Sequence, residues 1–213
     1  MKRHNYLLWG IGLGLGFGLI LTPAAFAQTA NPANVETLLQ RAVERGQRGD
    51  FEAAIFELNQ AIKLAPNNAT AFTLRGVAYT NLGNAKQALE DFTKAIQLAP
   101  KSAASYGYRG IVRRQLQDLP GALADVNEAI KLEGKNPGLY SFRGALHADS
   151  GDRAKAISDF QQAAKLFSER GDTEGVKEMQ EFIAILEKQP ATPTPAPQKP
   201  ATQAAPLKPT QPK

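Results

Sequence analysis

The chain has no cysteine, and only two histidines and two methionines among its 213 residues. Without thiols it has no disulfide, no thiolate nucleophile and no cysteine-ligated zinc or iron–sulfur site. One histidine, His4, lies in the apolar N-terminal segment, which leaves His147 as the only imidazole of the remaining chain. No Ser-His-Asp set can be assembled with any spacing logic. Glycine-rich sequence is confined to the N-terminal segment, so no phosphate-cradling loop precedes a helix. Carboxylates do not cluster as metal ligands; Asp149 and Asp152 flank a turn, where the second has a capping role. Charge of one sign is missing where it would matter. Of the net +5, Lys2 and Arg3 supply two and Lys199, Lys208 and Lys213 supply three, so residues 28–188 carry 20 basic and 20 acidic side chains. A neutral fold lacks the basic face that nucleic-acid binding needs. The expectation is a non-enzyme with no catalytic residue, cofactor or metal and no nucleic-acid partner.

The two ends differ from the middle. Lys2, Arg3 and His4 precede an apolar run from Tyr6 to Leu21, then Pro23 and the small-residue triplet Ala25-Phe26-Ala27. This is the layout of a cleavable signal peptide over residues 1–27, with Gln28 as the mature start. An uncleaved anchor is the alternative, with Gly10, Gly14 and Gly18 as a helix-contact face, but the run falls short of the roughly 20 residues that span a bilayer. Export to a periplasm or the exterior is expected, or to a thylakoid lumen in a photosynthetic source. Membrane contact would be transient, through the signal alone. Residues 28–33 read as a short linker. At the other end, residues 189–213 hold eight of the 14 prolines and no acid, and read as an extension leaning to polyproline II.

Between them lies a repeat of 34 residues. Arg75-Gly76, Arg109-Gly110 and Arg143-Gly144 recur at that spacing, as do Ala54, Ala88, Ala122 and Ala156, and Ala61, Ala95, Ala129 and Ala163. Leu64, Leu98, Leu132 and Leu166 keep the same register. Each unit contains two stretches of helical periodicity separated by turn residues, and so predicts a helical hairpin. Asn34, Asn68, Ser102 and Asn136 stand where the first helix starts; Asp50, Asn84, Asp118 and Asp152 stand where the second does. Gly49, Gly83 and Gly151 suit the left-handed residue closing the first helix. Gln117 breaks that set and predicts a strained or differently closed turn, with Pro120 in the following first turn. Gly76, Gly110 and Gly144, with Ala42, mark close contact inside the hairpins, and Phe51, Leu58, Phe92, Val126 and Phe160 supply the bulk. Val176, Met179, Ile183 and Leu186 predict a last helix closing the stack. Nine helices are expected.

The order Gly, Ala, aromatic or aliphatic, Ala and Pro within 34 residues, clearest from Phe72 to Pro100, resembles the tetratricopeptide repeat. Phe72, Tyr106 and Tyr140 stand where that family often has Trp, and Gly134 and Ser168 where it has Pro. The resemblance implies an all-α fold, an α-solenoid forming a right-handed superhelix of four hairpins (about 35–68, 69–102, 103–136 and 137–170) plus a capping helix at 172–188, together one domain over 34–188.

Each first helix also carries an arginine with an acid 16 residues on: Arg41 and Glu57, Arg75 and Asp91, Arg109 and Asp125, Arg143 and Asp159. The spacing predicts ion pairs that fix helix register. His147 falls at the position of Arg45, Tyr79 and Arg113 and reads as a packing or hairpin-interface residue.

The resemblance further implies a protein or peptide partner lying across the first helices. It places Thr73, Val77, Thr80 and Asn81, then Gly107, Tyr108, Ile111, Arg114 and Gln115, then Ser141, Phe142, Ala145, Ala148 and Asp149 on the concave groove. Tyr108 and Phe142 read either as anchors or as packing between repeats, and the convex face stays open as a competing surface. The lysine and asparagine set with which some members clamp a terminal carboxylate is absent. The expected function is a non-enzymatic scaffold or adaptor outside the cytoplasm. The alternative is a binder of envelope polymer or lipid through the groove or the basic tail.

Overall fold

The computed structural model describes residues 32–188. The segments read as signal (1–27) and tail (189–213) lie outside the described residues. Among the described residues nine helices pair as hairpins: α1 (Pro32–Gln47) with α2 (Phe51–Leu64), α3 (Ala69–Asn81) with α4 (Ala85–Leu98), α5 (Ala103–Gln115) with α6 (Leu119–Leu132), and α7 (Pro137–Asp149) with α8 (Arg153–Glu169); α9 (Thr173–Lys188) follows α8. Each second helix packs on its own first helix and on the next, which makes the fold an all-α helical-repeat solenoid.

The caps follow from the sequence with two exceptions. Side chains of Asp50, Asn68, Ser102, Asp118, Asn136 and Asp152 accept the orphan N–H groups of the helices they precede. Asn84 occupies a cap position without a capping side-chain bond. Asn34 is no cap at all, because α1 begins at Pro32, whose fixed φ and missing N–H suit a first turn. At the turns between paired helices, Gly49, Gly83 and Gly151 have φ of 80°, 77° and 79°. Gln117 is forced to φ 64° while the turn closes as the others do, Asp118 N donating to Arg113 O at 2.9 Å as Asp50 N does to Arg45 O. The irregular residue is thus strained, and the turn itself is unchanged.

The second helices of the first three units end before Pro66, Pro100 and Gly134. Unit four has Ser168 there, so α8 continues to Glu169 and stops near Gly171, whose φ is 73°. Asp172 then caps α9 through Gly175 N at 2.9 Å.

Inside the hairpins the glycines permit contacts that a methyl would block. A Cβ at Gly76 would lie 2.8 Å from the Phe92 ring, and one at Gly144 2.9 Å from Phe160. Phe92 is fully buried, which contributes about 1.5–3 kcal/mol. In unit three the bulky position is Val126, and the ring nearest Gly110 is instead Phe142 of the following unit, at 3.2 Å. Phe51 is only half-buried, whereas Leu58 and Val126 are core. On α9, Met179 is buried, and Ile183 and Leu186 pack with it against Ala156, Phe160 and Ala163. Phe182 stacks on Phe160 at 5.3 Å yet stays 38 % exposed, and Ile185 is 55 % exposed.

Candidate partner-binding groove

The first helices α3, α5 and α7 are held in register by a repeated arginine cradle. Arg75 donates through Nε and Nη2 to Asp91 at 2.8 and 2.7 Å, and through Nη1 to Asn59 Oδ1 of the preceding unit at 2.6 Å. Arg109 holds Asp125 at 3.0 and 2.7 Å and Thr93 at 3.3 Å. Arg143 holds Asp159 at 2.8 and 2.7 Å and Asn127 at 2.9 Å. Each guanidinium also lies over the aromatic ring three residues earlier, Phe72, Tyr106 or Tyr140, at 5.4–5.7 Å from the centroid. One side chain therefore joins its own second helix to that of the previous unit. The planar fork, with donors on several edges, is what makes this possible. Hydrogen bonds to Asp91 and Asp159 hold the Arg75 and Arg143 guanidinium groups charged more firmly than usual.

The first unit departs from the expected pairing. Glu57 takes its bond from Arg45 Nε at 3.3 Å, and Arg41 is exposed. Among the described residues no helix precedes α1 to supply the outer acceptor, and the longer Glu57 side chain reaches one turn further along α1. The same turn is used again by Arg113, which holds Asp125 at 2.8 Å. His147 shares this register, with Nε2 3.8 Å from Asp159 Oδ2. Burial pushes its pKa below the ordinary value, against the opposing pull of Asp159. Asn59, Thr93 and Asn127 were not singled out from sequence, although their 34-residue spacing was there to be read.

The residues assigned to the groove divide into two groups. Thr73, Ile111 and Phe142 are buried, Phe142 in keeping with the packing alternative. Thr73 Oγ1 donates to Ala69 O at 3.0 Å and lies 2.9 Å from Ser105 Oγ, tying α3 to α5. Ile111 and Phe142 belong to one buried cluster with Val126, Leu139 and Leu146. Gly107 is buried as well. Tyr108 is half-buried, its ring stacked on Phe92 at 5.7 Å, and burial pushes its phenol pKa up. It too serves packing between repeats.

The second group stays at the surface. Val77, Thr80, Asn81, Ser141, Ala145 and Ala148 are half-buried, and Gln115 and Asp149 are exposed. Thr80 and Asn81 direct their donors to their own helix, at Gly76 O (2.8 Å) and Val77 O (2.9 Å). Arg114 donates through Nε to Asp149 Oδ2 at 2.6 Å, a bond from unit three to unit four. Val43, 36 % exposed, occupies the register of Val77 in the first unit and extends this face by one repeat. Small side chains, uncharged polar groups and one ion pair make up this face. Among the described residues no group of three or more His, Asp or Glu is placed to hold a metal, and no helix is long and apolar enough to cross a membrane.

Family models described as "TPR repeat" and "Tetratricopeptide repeat" match residues 46–83 and 69–102. No curated protein matches this chain. Among solved structures, MamA (41-end) from Desulfovibrio magneticus RS-1 is similar at 18 % identity and a TM-score of 0.57, covering 73 % of this chain and 96 % of that one. A thermophilic TPR protein in Thermus thermophilus is similar at 19 % and 0.56, covering 71 % and 91 %. The first TPR of Spaghetti (RPAP3), bound to the HSP90 peptide SRMEEVD, is similar at 23 % and 0.54, covering 55 % and 93 %.

Proposed function

Because this chain is a tetratricopeptide-repeat protein, we propose that it is a non-enzymatic scaffold or adaptor that binds a segment of a partner protein across its first helices, in an extracytoplasmic compartment. The observation that carries this reading is the set of half-buried, uncharged side chains on α3 and α7, with Val77, Asn81, Ala145 and Ala148 in it and Gln115 of α5 exposed beside them. Such a set lets a backbone approach closely without stranding a charge. The SRMEEVD peptide on the RPAP3 domain supports a peptide-like partner. Residues 1–27 act as the cleaved signal and 189–213 as an extension beyond the repeat domain; of the linker expected over 28–33, residues 32 and 33 already belong to α1 of that domain. The compartment is a periplasm or the exterior, or a thylakoid lumen if the source is photosynthetic.

The test is crosslinked affinity capture with the full chain in envelope extract, beside a Val77→Arg variant that puts a bulky charge on that face. A partner captured by the wild type and lost with Val77→Arg supports the reading; a partner kept by both sinks it. Retention on purified cell wall or lipid that needs residues 189–213 would favour envelope polymer instead, on the strength of the three lysines in an acid-free tail. The mass of the secreted product, starting at Gln28 or at Met1, decides the fate of the signal.

A further inference from the structure

The first helices of units two to four carry very few charges that remain available. Helices α3, α5 and α7 contain the arginines Arg75, Arg109, Arg113, Arg114 and Arg143 and one acid, Asp149. Four of the arginines are bound to acids of the second helices: Arg75 to Asp91, Arg109 and Arg113 to Asp125, and Arg143 to Asp159. Arg114 alone pairs with an acid on another first helix, Asp149, at 2.6 Å, with 30 % and 37 % of the two side chains exposed. Both residues sit on the face assigned to the partner.

Asp149 is locally a poor choice. It is the last residue of α7, where the unpaired carbonyls already make the helix end negative. Its neighbour across the units offsets that cost. A local conflict of this kind, resolved only by a long-range contact, marks a residue chosen for the site rather than for the helix.

We propose that Asp149 sets the charge preference of the groove: by engaging Arg114 it makes the groove a site for an extended partner segment free of acidic side chains and of a terminal carboxylate. The proposal rests on the groove reading above and names the partner's chemistry. A carboxylate reaching for Arg114 must displace Asp149 and is repelled by it. A segment without acids meets a surface whose opposite charges already cancel, and leaves the pair intact. This inverts the chemistry required by an acidic peptide such as SRMEEVD.

The test is selection of a random dodecapeptide display library on the purified full chain and on Asp149→Asn. Wild type is expected to enrich peptides poor in Asp and Glu. Asp149→Asn frees a charged donor for ligand carboxylates and should raise the acidic fraction roughly tenfold, the scale of one charge-assisted hydrogen bond. Asp149→Asn combined with Arg114→Met should abolish that gain, which a general loosening of unit four would not do. Equal acidic fractions for wild type and Asp149→Asn, or a gain that survives in the double variant, overturn the proposal. Wild-type peptides that bind Val77→Arg equally well would instead remove the groove reading itself, and the charge preference with it. No enrichment on any of these proteins would do the same.

Discussion

Replacing Arg75 with Met and, separately, Arg109 with Met should destabilise the protein unequally, although the two residues occupy equivalent positions. Asp91 has a side chain 6 % exposed and takes both its bonds from Arg75. Arg75→Met therefore leaves a buried carboxylate uncompensated, at a cost of about 3–5 kcal/mol. Asp125 is buried more deeply, at 3 %. It keeps the Arg113 Nη1 bond at 2.8 Å when Arg109 is removed. Arg109→Met should thus lose only charge-assisted hydrogen bonds, roughly 1.5–3 kcal/mol. Arg109→Met combined with Arg113→Met should cost more than the two single changes added, because only the pair strands Asp125. Equilibrium urea unfolding of the full chain, read by circular dichroism, measures all four. An Arg109→Met loss equal to or above that of Arg75→Met, or strict additivity in the double variant, would refute the account of the cradle.

Gln117→Gly should stabilise the protein by about 0.5–1 kcal/mol. The left-handed conformation costs an ordinary residue roughly 1–2 kcal/mol, and the greater freedom of glycine in the unfolded chain returns part of the gain. Gly83→Gln, at the equivalent turn, should show the opposite sign in the same denaturation assay; matching signs would show that the turn stores no strain. His147 should make stability fall in acid. Its folded pKa is depressed by burial below the ordinary value of 6.5. The neutral imidazole's contribution is therefore fully present above about pH 6.5 and is lost as pH falls through the folded pKa. Unfolding curves at pH 7.5 and 5.0 should converge for His147→Gln relative to wild type; a wild type that gains stability in acid, relative to that variant, would mean the pairing with Asp159 outweighs desolvation.

Much of the fold was legible because a 34-residue period repeats every local decision four times. The left-handed turns at Gly49, Gly83 and Gly151, the strain at Gln117 and the close approach at Gly76 and Gly144 each depend on residues a few positions apart or on the partner helix of one hairpin. Spacing along the chain specifies such contacts directly. The arginine–aspartate pairs of units two to four were legible for the same reason.

The groove was less legible. Thr73, Ile111 and Phe142 occupy positions on the first helices that periodicity cannot tell from exposed ones. Whether such a position is covered depends on the rotation of one hairpin against the next, and so on the Val126 space that Phe142 fills. Arg45 takes the place of Arg41 because unit one has Glu57 where the other units have Asp, and the longer side chain meets the arginine one turn further along α1. Composition and repeat alone determined a stacked, neutral helical array without thiol chemistry, because these follow from local preferences and from nearest-neighbour burial. Only the tertiary structure decided which first-helix side chains remain at the surface and that Arg114 and Asp149 cancel, because that contact joins different positions of adjacent repeats and exists only once the hairpins have been set at their angle.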